Sequence, residues 1–444
     1  QSGRSTLQAN CAALGNNIRV INITASDVTL RSLDIAGGKI TGVGAGIQSS
    51  GSSSRMVIED CMVRDNLADT DYQDGGGGIR VTGGAGHRIS RSVISNNTAQ
   101  ARGWGGGVFL DATSSMVIED SVIAANLASY TSYDGVGGGL ALKNNAKVFM
   151  ANCRITDNRC RGTGSAIYCA TGNTDGGGAL VAAFGCLFTG NRHSIDPNGT
   201  PVEVIRLAQT PSAGVSYLIN TTVASNYQGS VTAAGQGSWP NGHFIGLQAL
   251  NTVIEARRLN ASGGDASLNN PATAHWALQN TTVQLSTNQA GFGMAAWSGS
   301  AWIWNYTNTL AQALTALDLA GTNRFHSLTA ANAFSQALEN NLEGDPGFIG
   351  PLNPHNRPPF SLADSSTSKE SGLMRAGSGF TYVDVNANGA YNALMDVIVA
   401  GTPPVGTHYV YTKDLAGNPR LKGATIDRGC YEWQPGKGTV VTFR

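Results

Sequence analysis

The sequence predicts an all-β solenoid, a parallel β-helix of stacked coils built from short strands. Three observations predict it. MVIEDCMVRDN at 56–66 and MVIEDSVIAAN at 116–126 open on the same pentapeptide 60 residues apart, and a degenerate copy, HRISRSVISNN at 87–97, lies between them. An asparagine closes each copy: Asn66, Asn97, Asn126, Asn158, Asn191 and Asn226 follow one another at intervals of 31, 29, 32, 33 and 35. Within each copy apolar residues alternate with period two, and no helical period shows before about residue 300.

Each element of the coil has its own signal. Three residues before the asparagine stands an apolar side chain, in turn Val63, Ile94, Ile123, Ile155, Phe188 and Val223, expected to stack inward. Five before it stands Cys61, Ser92, Ser121, Cys153, Cys186 or Thr221, a position expected to hold small residues in the interior. Leu33 and Ile35 read as an earlier copy, Thr281 and Val283 as a later one. A second strand, led by glycines, lies upstream in GAGIQSS (44–50), GGGIRV (76–81), GGGVFL (105–110), GGGLAL (137–142) and GSAIYCA (164–170). The repeat therefore reads as turn, short strand, turn, short strand and an Asn-ended corner, where the amide side chain satisfies backbone groups and tolerates a left-handed conformation. A β-propeller needs about 40–45 residues and four strands per blade, more than these repeats supply.

Lys plus Arg and Asp plus Glu both number 29, so the formal net charge is zero, and 13% of residues are charged. That balance gives nucleic acid no basic field to follow. The 58 glycines, in register with apolar strands, belong to extracellular β-structure rather than disorder. No apolar run approaches the roughly 20 residues of a membrane span. The chain opens at Gln1 without a basic or apolar leader, as expected of a mature secreted chain. Seven cysteines leave at least one thiol without an intrachain partner.

VTLRSLDIAGG and CRITDNRCRGTGSAIY, in series, resemble the secreted right-handed β-helix proteins of the pectin-lyase-like superfold. EGDPGFIG (343–350), PFSLADSS (359–366) and DLAGNPRLKGATIDRGCYE (414–432) resemble the closing module of bacterial surface β-helix proteins of the choice-of-anchor Q type. The resemblance implies a right-handed parallel β-helix with a small C-terminal β-rich module, secreted or at a bacterial cell surface. The expected division is 1–307 for the β-helix, 308–344 for a connecting segment and 345–444 for the module. In such proteins a variable cell-surface anchor is expected after the module, and the sequence runs to GKGTVVTFR. A structural or adhesive role around extracellular polysaccharide is the expectation, with a polysaccharide lyase or glycoside hydrolase as the rival.

Each candidate site has a chemical reading and a plainer one. An inverting hydrolase needs paired acids, and the chain has neither adjacent aspartates nor Gly-His-Gly. A lyase needs a base beside cations, and GHRIS (86–90) and HNRPPF (355–360) do not match such a site. For Ca²⁺, DVNANGAYNALMD places Asp384, Asn386 and Asn388 at loop positions 1, 3 and 5, Gly389 at 6 and Asn392 at 9. Met395 stands where the bidentate acid belongs and Asp396 follows it; the alternative is a self-capped turn. Asp69, Asp71 and Asp74 form a second, sparser Ca²⁺ candidate, alternatively a solvated loop. Trp297, Trp302, Trp304 and Tyr306 offer aromatic faces to a glycan or a lid over the last coil, and the lid is favoured. Cys153 and Cys186 stand on adjacent coils about 4.8 Å apart, within disulfide reach, as buried thiols or as a pair. Cys160 and Cys169 are a second pair of candidates. No histidine pair has zinc or copper spacing. Residues 1–35 and the C-terminal module with its final TVVTF (439–443) offer the faces of a head-to-tail self-assembly; the alternative, slightly favoured, is a monomer.

Overall fold

The computed structural model describes residues 3–9, 17–70, 74–128, 135–170, 178–194, 203–209, 215–226, 229–235, 243–256, 258–262, 273–279, 281–285, 292–297, 302–307, 325–328, 334–335, 342–343, 374–383, 391, 397–402, 409–421 and 426–431. Among these residues there is no helix. Three parallel sheets of 11 strands run the length of the molecule, with a six-stranded sheet beside them and a separate four-stranded sheet near the C-terminus. The fold is a right-handed parallel β-solenoid, as the repeats predict.

One coil shows the plan. A strand at Ile79–Thr82 follows the glycines, then come His87–Ser90, Val93–Ser95 and Thr98–Ala101, each on its own wall. We call these the glycine wall, the long wall, the asparagine wall and the short wall. The coil thus has four strands rather than the expected two. The MVIED run and the apolar residues after it look like one strand by alternation, but a left-handed residue breaks each copy in two. Asp60 (φ 54°), Arg91 (46°), Asp120 (47°), Asn152 (50°), Gly185 (60°), Asn220 (46°) and Asn251 (49°) stand at that corner in successive coils. The bend shifts the phase by one residue, since Ile58 and Cys61 are both inward with Glu59 and Asp60 between them, and the alternation restarts beyond the corner.

The asparagines are buried and hydrogen-bonded to one another. Asn66 Nδ2 donates to Asn97 Oδ1 at 2.9 Å, and the chain continues through Asn126, Asn158, Asn191 and Asn226 at 2.9 to 3.1 Å. The left-handed conformation at this corner belongs to the preceding residue: Asp65, Asn96, Ala125, Asp157, Gly190 or Ser225. The glycine runs follow from the ladder. A Cβ on Gly78 would come within 2.7 Å of the Gly107 carbonyl and 2.8 Å of Asn97 Nδ2. Backbone therefore packs on the amides with no room for a side chain.

Inside, Val63, Ile94, Ile123, Ile155, Phe188 and Val223 are buried in one continuous core, as expected. The Cys/Ser/Thr row differs from its expected role as small filler. It is a second polar ladder. Ser92 Oγ donates to Ser90 O at 2.7 Å and accepts the Cys61 amide at 3.0 Å; Ser121 Oγ donates to Glu119 O at 2.7 Å and accepts the Ser92 amide at 3.1 Å. Cys153 Sγ reaches Ala151 O at 3.2 Å and Cys186 Sγ reaches Phe184 O at 3.4 Å, so the thiols stand in for hydroxyls.

Two features mark the ends. Ser5–Gln8 pairs in parallel with Leu33–Ala36, adding an exposed edge strand ahead of the first coil read from the sequence. At the other end the glycine wall closes on an antiparallel strand, Trp302–Thr307, and the long wall on another, Phe334–Ser335. Strands at Phe325–Leu328 and Leu342–Glu343 carry the long and asparagine walls on through the segment 308–344. The four-stranded sheet, Arg375–Ala376, Phe380–Val383, Val397–Gly401 and Tyr409–Val410, is antiparallel except for its last pair.

Candidate functional site

The outer face of the long wall changes character along its length. The outward row nearest the corner runs, by register, through Arg31, Glu59, Ser90, Glu119, Ala151, Phe184, Ile219 and Leu250. The first four are polar and the next four apolar. In the polar half, side chains pair between coils: Arg31 with Glu59 at 2.6 Å, Arg91 with Asp60 at 2.8 Å, and Arg88 with Glu119. The Arg91 hydrogen bond and charge hold the Asp60 carboxyl below its ordinary range.

The apolar half is where the C-terminal sheet docks. Phe184, Ile219 and Leu250 form a buried cluster with Val383, Val397, Val399 and Ile426. The Tyr411 ring lies tilted over Phe149 and Phe184 at 5.9 and 5.6 Å between centroids. Burial, then the nearby Glu119 charge, pushes the Tyr411 phenol well up, so it stays neutral. The DLAGNPR turn closes on itself: Asp414 Oδ1 accepts the Ala416 and Asn418 amides at 2.9 and 2.7 Å. That turn delivers Arg420, fully buried, over the Phe184 ring at 5.4 Å.

Hydrogen bonds to the module's backbone fix the dock beside the corner. Asn220 Nδ2 donates to Asp427 O at 3.0 Å, the Gly429 amide to Asn251 O at 2.8 Å and the Cys430 amide to Thr222 Oγ1 at 3.1 Å. Gly185 is needed here. A Cβ at that left-handed position would come within 2.6 Å of Arg420 Nη2 and 2.8 Å of Asn152 Oδ1. Burial lowers the Arg428 guanidinium to about 10 and raises the Cys430 thiol to about 12.

Beside the docked sheet, the middle of the long wall carries an open groove of about 350 Å³. Its floor is the neighbouring outward row, Val117, Phe149, Ala182 and Tyr217. One rim is the next row, Ser115, Lys147, Leu180 and Val215, and Lys147 is the one charged side chain among the lining residues. The sequence reading placed nothing here. The available signal was the outward apolar residues at 117, 149 and 217 on a wall whose earlier copies carry charge.

The sequence-predicted sites do not converge on this groove. Asp74 is held by Arg80 in a two-pronged ion pair of 2.9 and 3.0 Å, and Asp69 lies on the short wall. Asp71 lies outside the described residues, as do Asp384, Asn386, Asn388, Asn392 and Asp396. An Asn-Thr-Asp run, the one motif fragment of an inverting hydrolase in the chain, occurs at 173–175 and also falls outside them. Among the described residues no three His, Cys, Asp or Glu groups could share a metal ion. Trp297 and Trp302 are backbone register partners across the antiparallel hairpin, and Trp304 and Tyr306 lie further along the Trp302 strand. Cys153, Cys186, Cys160 and Cys169 are all buried free thiols. The first two are neighbours in the polar ladder, whereas Cys160 is on the short wall and Cys169 on the glycine wall.

A family model described as a right handed beta helix region matches residues 19–205. The protein is a parallel β-helix. No curated protein and no solved structure matches the chain. The matched stretch takes in the polar half of the long wall and ends before the coils of Tyr217 and Leu250.

Proposed function

We propose that this β-helix is an extracellular, surface-displayed structural element rather than a catalyst. The observation that carries the reading is how the solenoid uses its charges. Arg31, Glu59, Asp60, Arg88, Arg91 and Glu119 pair between coils, and Arg64 bridges Asp34 and Asp65 at 2.8 and 2.6 Å. Acids spent on neighbouring coils stiffen a rod and are held away from the role of general acid or base. The buried thiols are compatible with an extracellular setting. Burial raises Cys160, Cys169 and Cys186, which suppresses the thiolate that oxidants attack.

The test is incubation of the full chain with uronate-rich and neutral polysaccharides, following unsaturated products by ultraviolet absorbance and new reducing ends by a colorimetric assay. The reading expects neither signal to exceed a heat-treated control, together with co-sedimentation of the folded chain with insoluble cell-wall material. Release of product would replace it with the lyase or hydrolase reading.

A further inference from the structure

The long-wall groove has one rung missing. Phe149, Ala182 and Tyr217 are register partners on three successive coils, so an alanine sits between two aromatic positions. Adjacent strands are about 4.8 Å apart, which places the Phe149 and Tyr217 strands roughly 10 Å apart with a methyl group between them. A flat ring seated over Ala182 would lie about 4.8 Å from each row, inside the roughly 4.5–7 Å range of favourable aromatic pairs. The chain already uses this device next door, where its own Tyr411 ring covers Phe149 and Phe184.

The rim supplies a charge. Lys147 precedes Phe149 by two residues on the same face of one strand, so its ammonium stands beside the slot. It is exposed and makes no ion pair among the described residues. The Arg88–Glu119 pair is already neutralised and contributes no net charge nearby. The volume, about 350 Å³, is at the small end of ligand sites.

We infer that the groove over Ala182 is a binding site for a small planar aromatic acid, its ring between Phe149 and Tyr217 and its carboxylate on Lys147. A saturated ring of the same bulk fits between the rows but lacks the π face that pairs with Phe149 and Tyr217, and an aromatic cation meets the wrong charge at the rim. The proposal is independent of the structural role above, since a rod-forming solenoid keeps this face whether or not the groove is filled.

The experiment titrates 2-naphthoate into the full-length chain by calorimetry, with saturation-transfer NMR to map the bound ring. Wild type is expected to bind, and decahydronaphthalene carboxylate to bind about tenfold more weakly. Ala182→Phe completes the aromatic row and should abolish binding while the melting temperature holds or rises. Lys147→Glu, on the exposed rim, should weaken 2-naphthoate about tenfold and admit 2-naphthylmethylamine instead. No wild-type binding up to on the order of 1 mM ligand overturns the proposal. So does unchanged affinity in either variant. Glucuronate binding where 2-naphthoate fails would make the groove a sugar site and equally overturn it.

Discussion

Glu119 and Phe184 occupy the same outward row of the same wall, two coils apart, yet one stays partly exposed, paired with Arg88 at the margin of the module, and the other is fully buried. The corners beside them differ in the same way. Asp60 and Asp120 hold the left-handed turn in the open half, whereas Asn152, Gly185, Asn220 and Asn251 hold it under the C-terminal module. A solenoid has no intrinsic reason to change its outer face midway, because each coil repeats the backbone of the last. The switch from charge to hydrocarbon records what the wall touches. The inward rows show no such switch, since both halves share one core.

The largest effect should ignore the distinction. Ile123→Asp places an unpaired carboxylate in the shared core and should cost on the order of 4 kcal/mol or more. Chemical denaturation should find the mutant largely unfolded, and near-wild-type stability would break the assigned register. Phe184→Ala separates the halves. It should cost about 3–5 kcal/mol by the loss of a buried ring under the module. Glu119→Ala in the same row should cost about 1 kcal/mol, because it removes one partly exposed pair with Arg88 and a long hydrogen bond from Tyr411 rather than a buried ring. Limited proteolysis should release fragments near residue 374 in the first mutant and not in the second.

The corner offers a finer comparison. Gly185→Ala meets both the left-handed penalty of about 1–2 kcal/mol and the approach of Arg420, so it should loosen the module. Asp120→Ala, at the equivalent and uncovered corner, meets the conformational cost without the clash. Thermal melts of the two should therefore separate, with Gly185→Ala lower; equal melting points would break the docking geometry.

The smallest effect belongs to His87, an inward residue of the open half. Its Nδ1 accepts the Met56 amide at 3.1 Å and its Nε2 donates to Gly83 O at 3.1 Å, which fixes the neutral ring. Burial lowers its value from the ordinary 6.5. Between the lowered folded value and 6.5 the unfolded chain binds a proton that the fold refuses, so stability rises with pH across that window. The contribution is full above 6.5 and is lost as pH falls toward the folded value. Melting curves across this range should show the slope. His87→Met, matching Met56 and Met116 in the same inward row, should flatten it.

Much of this is legible in the sequence. The asparagine period, the inward valines and isoleucines and the glycine strands located the core and the coil, because burial on a strand is written locally as alternation and a solenoid copies it at each turn. The sequence also placed a β-rich module at the C-terminus. The Cys/Ser/Thr row was located but its chemistry was not, since hydrogen bonding between coils distinguishes a thiol used as a donor from one used as filler. The groove left only the trace of apolar residues at 117, 149 and 217, which alternation assigns to the outer face without saying what lies over them.

The sequence alone therefore determined the repeat, the inward rows and the stacking order, all of which follow from interactions between residues about 30 positions apart. Only the tertiary structure decided where each repeat bends, which half of the long wall is covered and where the cover stops. Those depend on contacts such as Asn220 with Asp427, 207 residues apart, that no local period can encode. An outward phenylalanine reads the same in a sequence whether a distant segment buries it or leaves it beside a groove. Proximity in space, fixed by the docking of the C-terminal sheet, buries Phe184 fully and leaves Phe149 half-buried, between Tyr411 and the groove.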